Sequence, residues 1–312
     1  MPQNLTGIHV FEKNGPIEWE QMLAAAQFIS ALNWKKHHGR IELYTNDSWL
    51  SILKKYGVDE VYDNIDTSEL LKVNQKINKS LYWAWPKMHI ARRLTPESVM
   101  IDTDLWINSP IEVDKNQDFI GFHKENWSDL NPTNVYPDFD KIVNPSDIGR
   151  WDKTIMPINC ALLWIGNADL LQSWLDKAEE IAIETGNGRV VDSNRVIHQV
   201  FIEQRLLPII ANEMGLTHKT FLPIVYQSHI MDMGKGECWL PDPNEWTDDM
   251  LKTVRNFIHI WGCKKMWTHD KDMRNYHRKS MCIELRKFWK KYDVGPMIDE
   301  IAKMSDDYST SS

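Results

Sequence analysis

Short apolar runs alternate with helix-patterned segments through the first hundred residues. That alternation restricts the fold more than any other feature of the chain. "GIHVF" (7–11) has the character of a strand. Pro16 then sits near the first turn of a helical stretch from Ile17 to Trp34, with Trp19, Met22, Leu23, Ala26 and Ile29 on one face. "RIELYTN" (40–46) is the next strand. "DSWLSILKKYG" (47–57) is a short helix, with Asp47 expected as its N-cap and Gly57 as its stop. "EVYDNI" (60–65) is extended, and "SLYWAWPKMHIARRL" (80–94) is a helix that Pro86 either kinks or begins. "VMIDTDLWINSP" (99–110) is the fourth strand. Strands and helices in this order predict an α/β fold, a mostly parallel central sheet flanked by helices on both faces.

The second half is less regular. "DFIGFH" (118–123) and "CALLWI" (160–165) read as strands, separated by an Asn-, Asp- and Pro-rich stretch (124–157) of the length that functional loops have. Helices follow over 168–185 and 194–215, the latter expected to break or kink at Pro208, then strands and loops over 216–260 and a basic helical region over 273–304. No repeat and no linker interrupts this order. One domain over 1–270 is expected, with a C-terminal extension over 271–312 that ends in a disordered tail.

Composition removes several classes. The net charge of −8 argues against a nucleic-acid partner, which needs a basic footprint. No apolar stretch approaches the ~18 residues of a spanning helix. The start "MPQNLTGIHVFEKNG" lacks a basic and an apolar signal region, and the four cysteines form no CxxC pair. Reduced thiols and a cytoplasmic location are the expectation.

The segment "SVMIDTD" (98–104) ends in "DTD". Burying unpaired carboxylates costs several kcal/mol, so Asp102 and Asp104 belong at the carboxyl edge of the sheet, where ligands bind in doubly wound folds. Residues i and i+2 of an extended chain point the same way, so both carboxylates are expected to face one ion. Hard divalent cations prefer oxygen ligands and share them with phosphate. A strand-end turn with solvated carboxylates is the bland alternative, and for a lone Asp-x-Asp it weighs more.

A second element shifts that balance. "HIWGCKKMW" (259–267) follows the apolar run "NFI". An imidazole at His259 can add a nitrogen ligand to the same Mn²⁺ or Mg²⁺. Gly262 allows close backbone approach to a phosphate, and Lys265 brings a compact positive charge.

Together these residues resemble a GT-A glycosyltransferase. The C-terminal element is similar to the His-x-x-Gly-x-x-Lys-Pro-Trp motif of glycosyltransferase family 8, the glycogenin and lipopolysaccharide galactosyltransferase type. His259, Gly262, Lys265 and Trp267 match it, and Met266 replaces the proline. The resemblance implies a Rossmann-like GT-A domain and a nucleotide-sugar donor, a UDP-sugar first among them. It also implies Mn²⁺ (or Mg²⁺) held by Asp102, Asp104 and His259, with Gly262 and Lys265 at the diphosphate. Lys87 stands where the family carries a basic residue near the nucleotide. Asn159 in "PINCALLWI" matches the asparagine of a strand near the donor sugar, although Ala161 replaces the usual glycine. Glu203 and Gln204 in "IEQRLL" fall on a segment that faces the reacting carbon, although Arg205 departs from its pattern.

The implied activity is transfer of the sugar to a hydroxyl of a glycan, glycolipid or protein-linked sugar, with retention. If the outcome were inversion, a carboxylate base would be needed, and Glu203, Asp192 and Asp232 are the candidates. Trp19, Trp34, Trp49, Trp174 and Trp289 have helical spacing and are expected in the core. Trp127, Trp151, Trp239 and Trp246 lie in loop-like stretches and are acceptor-stacking candidates. The basic segment 274–295 either packs on the domain through Ile283, Leu285 and Trp289 or lies against an anionic membrane surface. The rival from another class is a catalytically silent sugar- or nucleotide-binding protein of the same fold. A nucleotidyltransferase would open with a Gly-rich basic loop, which "FEKNGPIEWE" is not.

Overall fold

A computed structural model describes residues 4–17, 19–125, 152, 154–186, 195–222, 256–260, 271–288, 291–292 and 295–303. Strand β1 (Thr6–Phe11) runs parallel to β2 (Ile41–Thr45) on one side and to β4 (Ser98–Ile101) on the other. β3 (Asn64–Asp66) adds parallel to β2. Beyond β4 comes β7 (Leu162–Ile165), antiparallel to it, then β6 (Phe119–Gly121), antiparallel to β7, and β8 (His218–Thr220), parallel to β6. The result is a seven-stranded, mostly parallel mixed sheet in the order β3-β2-β1-β4-β7-β6-β8. The α/β architecture is the one the alternation predicts.

Strand periodicity divides the apolar residues between two cores. Val99 and Ile101 enter one and Met100 the other, and Leu162 and Trp164 separate in the same way from Leu163 and Ile165. The first core is covered by α1 (Glu20–His38) and α2 (Asp47–Lys55). The second lies under α3 (Trp85–Ala91), α4 (Ala168–Gly186) and the helical segment 195–213. Gly7 is confined by this packing, because a Cβ there would stand 2.6 Å from Trp34 Nε1. The indole meanwhile donates to the Arg40 carbonyl at 2.9 Å.

Several local expectations change. Asn46, not Asp47, caps α2, because its side-chain oxygen accepts from the Trp49 N–H at 3.1 Å while Asp47 is already the first helical residue. Pro86 lies in the first turn of α3, where its missing N–H costs nothing. α1 is buried nearly all round rather than on one face. Its outer side is covered by α7 (Lys271–Arg286) and α8 (Gly295–Lys303), whose Met281, Leu285, Met297 and Ile301 join the same core. Leu285 is buried as expected, Ile283 is exposed, and Trp289 lies outside the described residues. Among the described residues no helix is long and apolar enough to cross a membrane.

The break expected at Pro208 falls earlier. α5 (Arg195–Val200) widens into a π turn over Phe201–Arg205 before α6 (Leu206–Glu213) resumes with Pro208 inside it. Proline has no N–H for the carbonyl four residues back, and its ring crowds that carbonyl. The Gln204 carbonyl accepts instead from the Ile158 N–H at 2.8 Å. Its neighbours find outside donors too, Trp174 Nε1 on Ile202 at 2.8 Å and the Cys160 thiol on Glu203 at 3.2 Å. The π turn thus trades helical bonds for bonds to the segment leading into β7 and to α4, a distortion common at functional positions.

Candidate metal and donor site

Asp102 follows the last residue of β4, and its N–H donates to the Ala161 carbonyl at 2.7 Å. The chain then turns, with the Leu105 N–H returning to the Asp102 carbonyl at 3.0 Å. The aspartates therefore flank a tight turn and are not two positions of an extended strand. Convergence arises from chain reversal instead of the period-2 alternation expected.

Out of that turn, β5 (Leu105–Ile107) pairs antiparallel with β9 (Phe257–His259), Leu105 directly opposite His259. The Ile260 N–H bonds the Asp104 carbonyl at 3.1 Å, which ties the two segments beside the carboxylates. His259 Nε2 stands 3.7 Å from Asp104 Oδ1 and 3.9 Å from Asp102 Oδ2. Ligand atoms of all three residues lie within 4.8 Å of one another.

These separations are too long for hydrogen bonds. Two ligand atoms each ~2.1 Å from one ion are about 3.0 Å apart when adjacent and about 4.2 Å apart when opposite; the two histidine separations fall between these values, so small side-chain rotations would close the group on an ion. Asp104 and His259 are buried, and no described residue offers a hydrogen bond to His259 Nε2. Among the described residues, this buried imidazole nitrogen has only the two carboxylates facing it, beyond hydrogen-bond reach. The residues present fit a hard divalent cation of the Mn²⁺ or Mg²⁺ type.

Lys87 joins the metal group to the π turn. Its Nζ contacts Asp102 Oδ1 at 2.6 Å, Glu203 Oε1 at 2.8 Å and the Cys160 carbonyl at 2.8 Å. Three acceptors match the three protons of an ammonium. Burial works against the charge, but the Asp102 and Glu203 carboxylates outweigh it and hold the Lys87 pKa above its ordinary value. The second Glu203 oxygen, Oε2, accepts from Gln199 Nε2 at 3.1 Å, and Gln199 Oε1 accepts from the Ala84 N–H at 3.2 Å. Nothing marked Gln199 in the sequence. Its position four residues before Glu203, on the same helical face, is the signal that could have found it.

Asn159 is buried, and its Nδ2 donates to Glu125 Oε1 at 2.9 Å while its Oδ1 accepts from the Ala161 N–H at 2.8 Å. Glu125 was hidden in a stretch that reads as loop. It is buried beside His123, whose Nε2 is 3.9 Å away. Burial pushes the Glu125 carboxyl up from 4.5 to about 7, against the opposing pull of Asn159 and His259. A raised carboxyl pKa contributes stability that is complete below the unfolded value and is lost as pH rises through the folded one. Between about 4.5 and about 7 the wild type should lose roughly 3 kcal/mol that Glu125→Gln does not. Urea denaturation of both proteins at pH 5 and pH 8 measures the difference.

Of the other expected site residues, Gln204 is half-buried on the π turn with its backbone bonded to Ile158. Gly262, Lys265, Trp267, Asp192, Asp232, Trp127, Trp151, Trp239 and Trp246 lie outside the described residues. Among the described tryptophans, Trp34, Trp49 and Trp174 are core residues as expected, and Trp19 is partly buried against the first core.

Neither a protein-family model nor a curated protein matches the chain. Among solved structures, the galactosyltransferase LgtC in complex with donor and acceptor sugar analogs is similar over 88% of this chain and 95% of that one, with 9% sequence identity and a TM-score of 0.44. A likeness so distant carries no argument about chemistry, which rests on this chain's own residues.

Proposed function

We propose that the chain is a metal-dependent glycosyltransferase of the GT-A type. It moves a sugar from a nucleotide-sugar donor, in the first instance a UDP-sugar, to a hydroxyl of a glycan or glycolipid. One observation carries this reading: Asp102, Asp104 and His259, 157 residues apart in sequence at the extremes, bring their ligand atoms within 4.8 Å of one another beside β4.

A divalent cation held by Asp102, Asp104 and His259 would supply positive charge beside the leaving diphosphate. The chain's own residues prepare for that event. Asp104 and His259 are preset by the β5–β9 ladder, so little reorganisation remains when charge develops. Gly262 and Lys265, from the motif, are proposed at the diphosphate. Asn159 is proposed on the sugar side, with one edge held by Glu125 and Ala161.

Lys87 and Glu203 act as a pair. With all three acceptors on Lys87 provided by the protein, its part is to hold Asp102 and Glu203 in place. Both Glu203 oxygens are engaged, which disfavours it as a free base. In the retaining reading the leaving phosphate takes the acceptor proton, with Gln204 facing the reacting carbon; in the inverting one the base is left to Asp192 or Asp232, which lie outside the described residues.

A donor-hydrolysis screen over UDP-, GDP- and CMP-sugars tests the proposal. Manganese-dependent release of nucleotide from one donor is the expected result. Tight binding of a donor without turnover would instead support the silent binding protein, and neither binding nor turnover would remove both.

A further inference from the structure

We infer that His9, carrying its proton on Nε2, is a positioning residue for the metal ligands, the middle link of a one-way hydrogen-bond chain ending on the backbone next to Asp104. The inference rests on reading Asp102, Asp104 and His259 as a metal site.

The direction of the chain follows from its ends. An indole N–H can only donate, and Trp49 Nε1 lies 2.8 Å from Gln27 Oε1. The Gln27 amide nitrogen therefore faces Tyr62 and donates to its hydroxyl at 2.7 Å. At the other end the Leu105 carbonyl can only accept, and it takes the Ser30 hydroxyl proton at 2.5 Å. Ser30 has no second proton, so its 3.2 Å contact with His9 Nε2 has the imidazole as donor. His9 Nδ1 is then the acceptor, and the Tyr62 hydroxyl donates to it at 2.9 Å.

Every bond points the same way, from Trp49 through Gln27, Tyr62, His9 and Ser30 to Leu105. The chain admits one tautomer. A doubly protonated ring would turn a second N–H toward the Tyr62 hydroxyl, which already accepts from Gln27, and leave the phenol proton without its acceptor. His9 is fully buried, and burial lowers its pKa to about 3 despite the nearby Asp104 charge, in agreement with a neutral ring.

The chain terminates where the metal ligands are set. Leu105 follows Asp104 directly and stands opposite His259 in the β5–β9 pair. His9 itself lies in register with Ile101, the residue before Asp102. The relay thus pins the far side of the turn that carries both aspartates, from a helix and a strand that touch neither carboxylate through these bonds. Hydrogen bonds made directly to a metal ligand typically change metal affinity 10–100-fold; this relay reaches the ligands through one backbone residue, so the low end of that range is expected.

The test uses the full chain with Mn²⁺ as the probe. Long-range ¹H–¹⁵N correlation should show the His9 ring as the neutral Nε2–H tautomer, assigned by its absence in His9→Gln. Tyr62→Phe and Ser30→Ala each delete one oxygen, and each is expected to weaken Mn²⁺ binding, followed by electron paramagnetic resonance, roughly tenfold. His9→Gln keeps an N–H donor near the Nε2 position and should retain more affinity than His9→Leu. A ring protonated on Nδ1, or folded Tyr62→Phe and Ser30→Ala variants that bind Mn²⁺ within about twofold of wild type, would overturn the inference. Wild type that binds Mn²⁺ yet releases no nucleotide from any donor would remove the transferase reading and leave this one standing. Wild type that binds no Mn²⁺ removes both.

Discussion

Asp104→Asn is expected to abolish Mn²⁺ binding at micromolar concentrations and to lower manganese-dependent nucleotide release about 10²–10³-fold. The asparagine matches the aspartate in shape, and the bonds that shape the turn are backbone bonds: Leu105 N–H to Asp102 and Ile260 N–H to Asp104. The fold is therefore expected to survive, and a thermal melt within a few degrees of wild type would show it. What is lost is a negative charge 3.7 Å from an imidazole nitrogen that has no described hydrogen-bond partner. Asp102 holds Lys87 at 2.6 Å, so its removal would disturb the Lys87–Glu203 pair as well. Undiminished Mn²⁺ affinity in a folded Asp104→Asn protein would end the metal assignment.

Lys87→Met should destabilise the fold by about 3–5 kcal/mol, read from urea denaturation at neutral pH. Lys87 and Glu203 side chains are only 12% and 10% exposed. Removing the ammonium leaves Glu203 buried with Gln199 as its one side-chain partner among the described residues, and takes the shared cation away from Asp102 and Glu203. The penalty belongs to the uncompensated charge and not to the pair as such. Lys87→Met combined with Glu203→Gln should accordingly recover much of the loss. Equal destabilisation in the single and double variants would mean that packing of the lysine stem, not charge, is what the site needs.

The two parts of the candidate site were legible to different degrees. The Asp-Thr-Asp and His259 could be singled out because carboxylates at the end of a buried run and a histidine after another apolar run each contradict what a core requires. Lys87 and Glu203 stood out only through a family resemblance, and their contact with each other was not visible at all. Glu125 and Gln199 carried no such contradiction, since a polar residue in a polar stretch, or on a helix, has an ordinary explanation. His9 was concealed inside "GIHVF", where four apolar-compatible neighbours made it look like one strand residue among others.

The sequence by itself determined that this chain builds a sheet with helices on both faces, because short apolar runs and apolar stripes at period 3.6 are local properties that each segment carries alone. It also placed two carboxylates at a strand end. Only the tertiary structure decided that β7 enters antiparallel, that the aspartates converge through a turn, and that Pro208 is accommodated by a π turn whose carbonyls bond to Ile158, Cys160 and Trp174. Pairing partners, tautomers and buried ion contacts depend on which segments meet, and that is set by the packing of the whole chain rather than by any stretch of it.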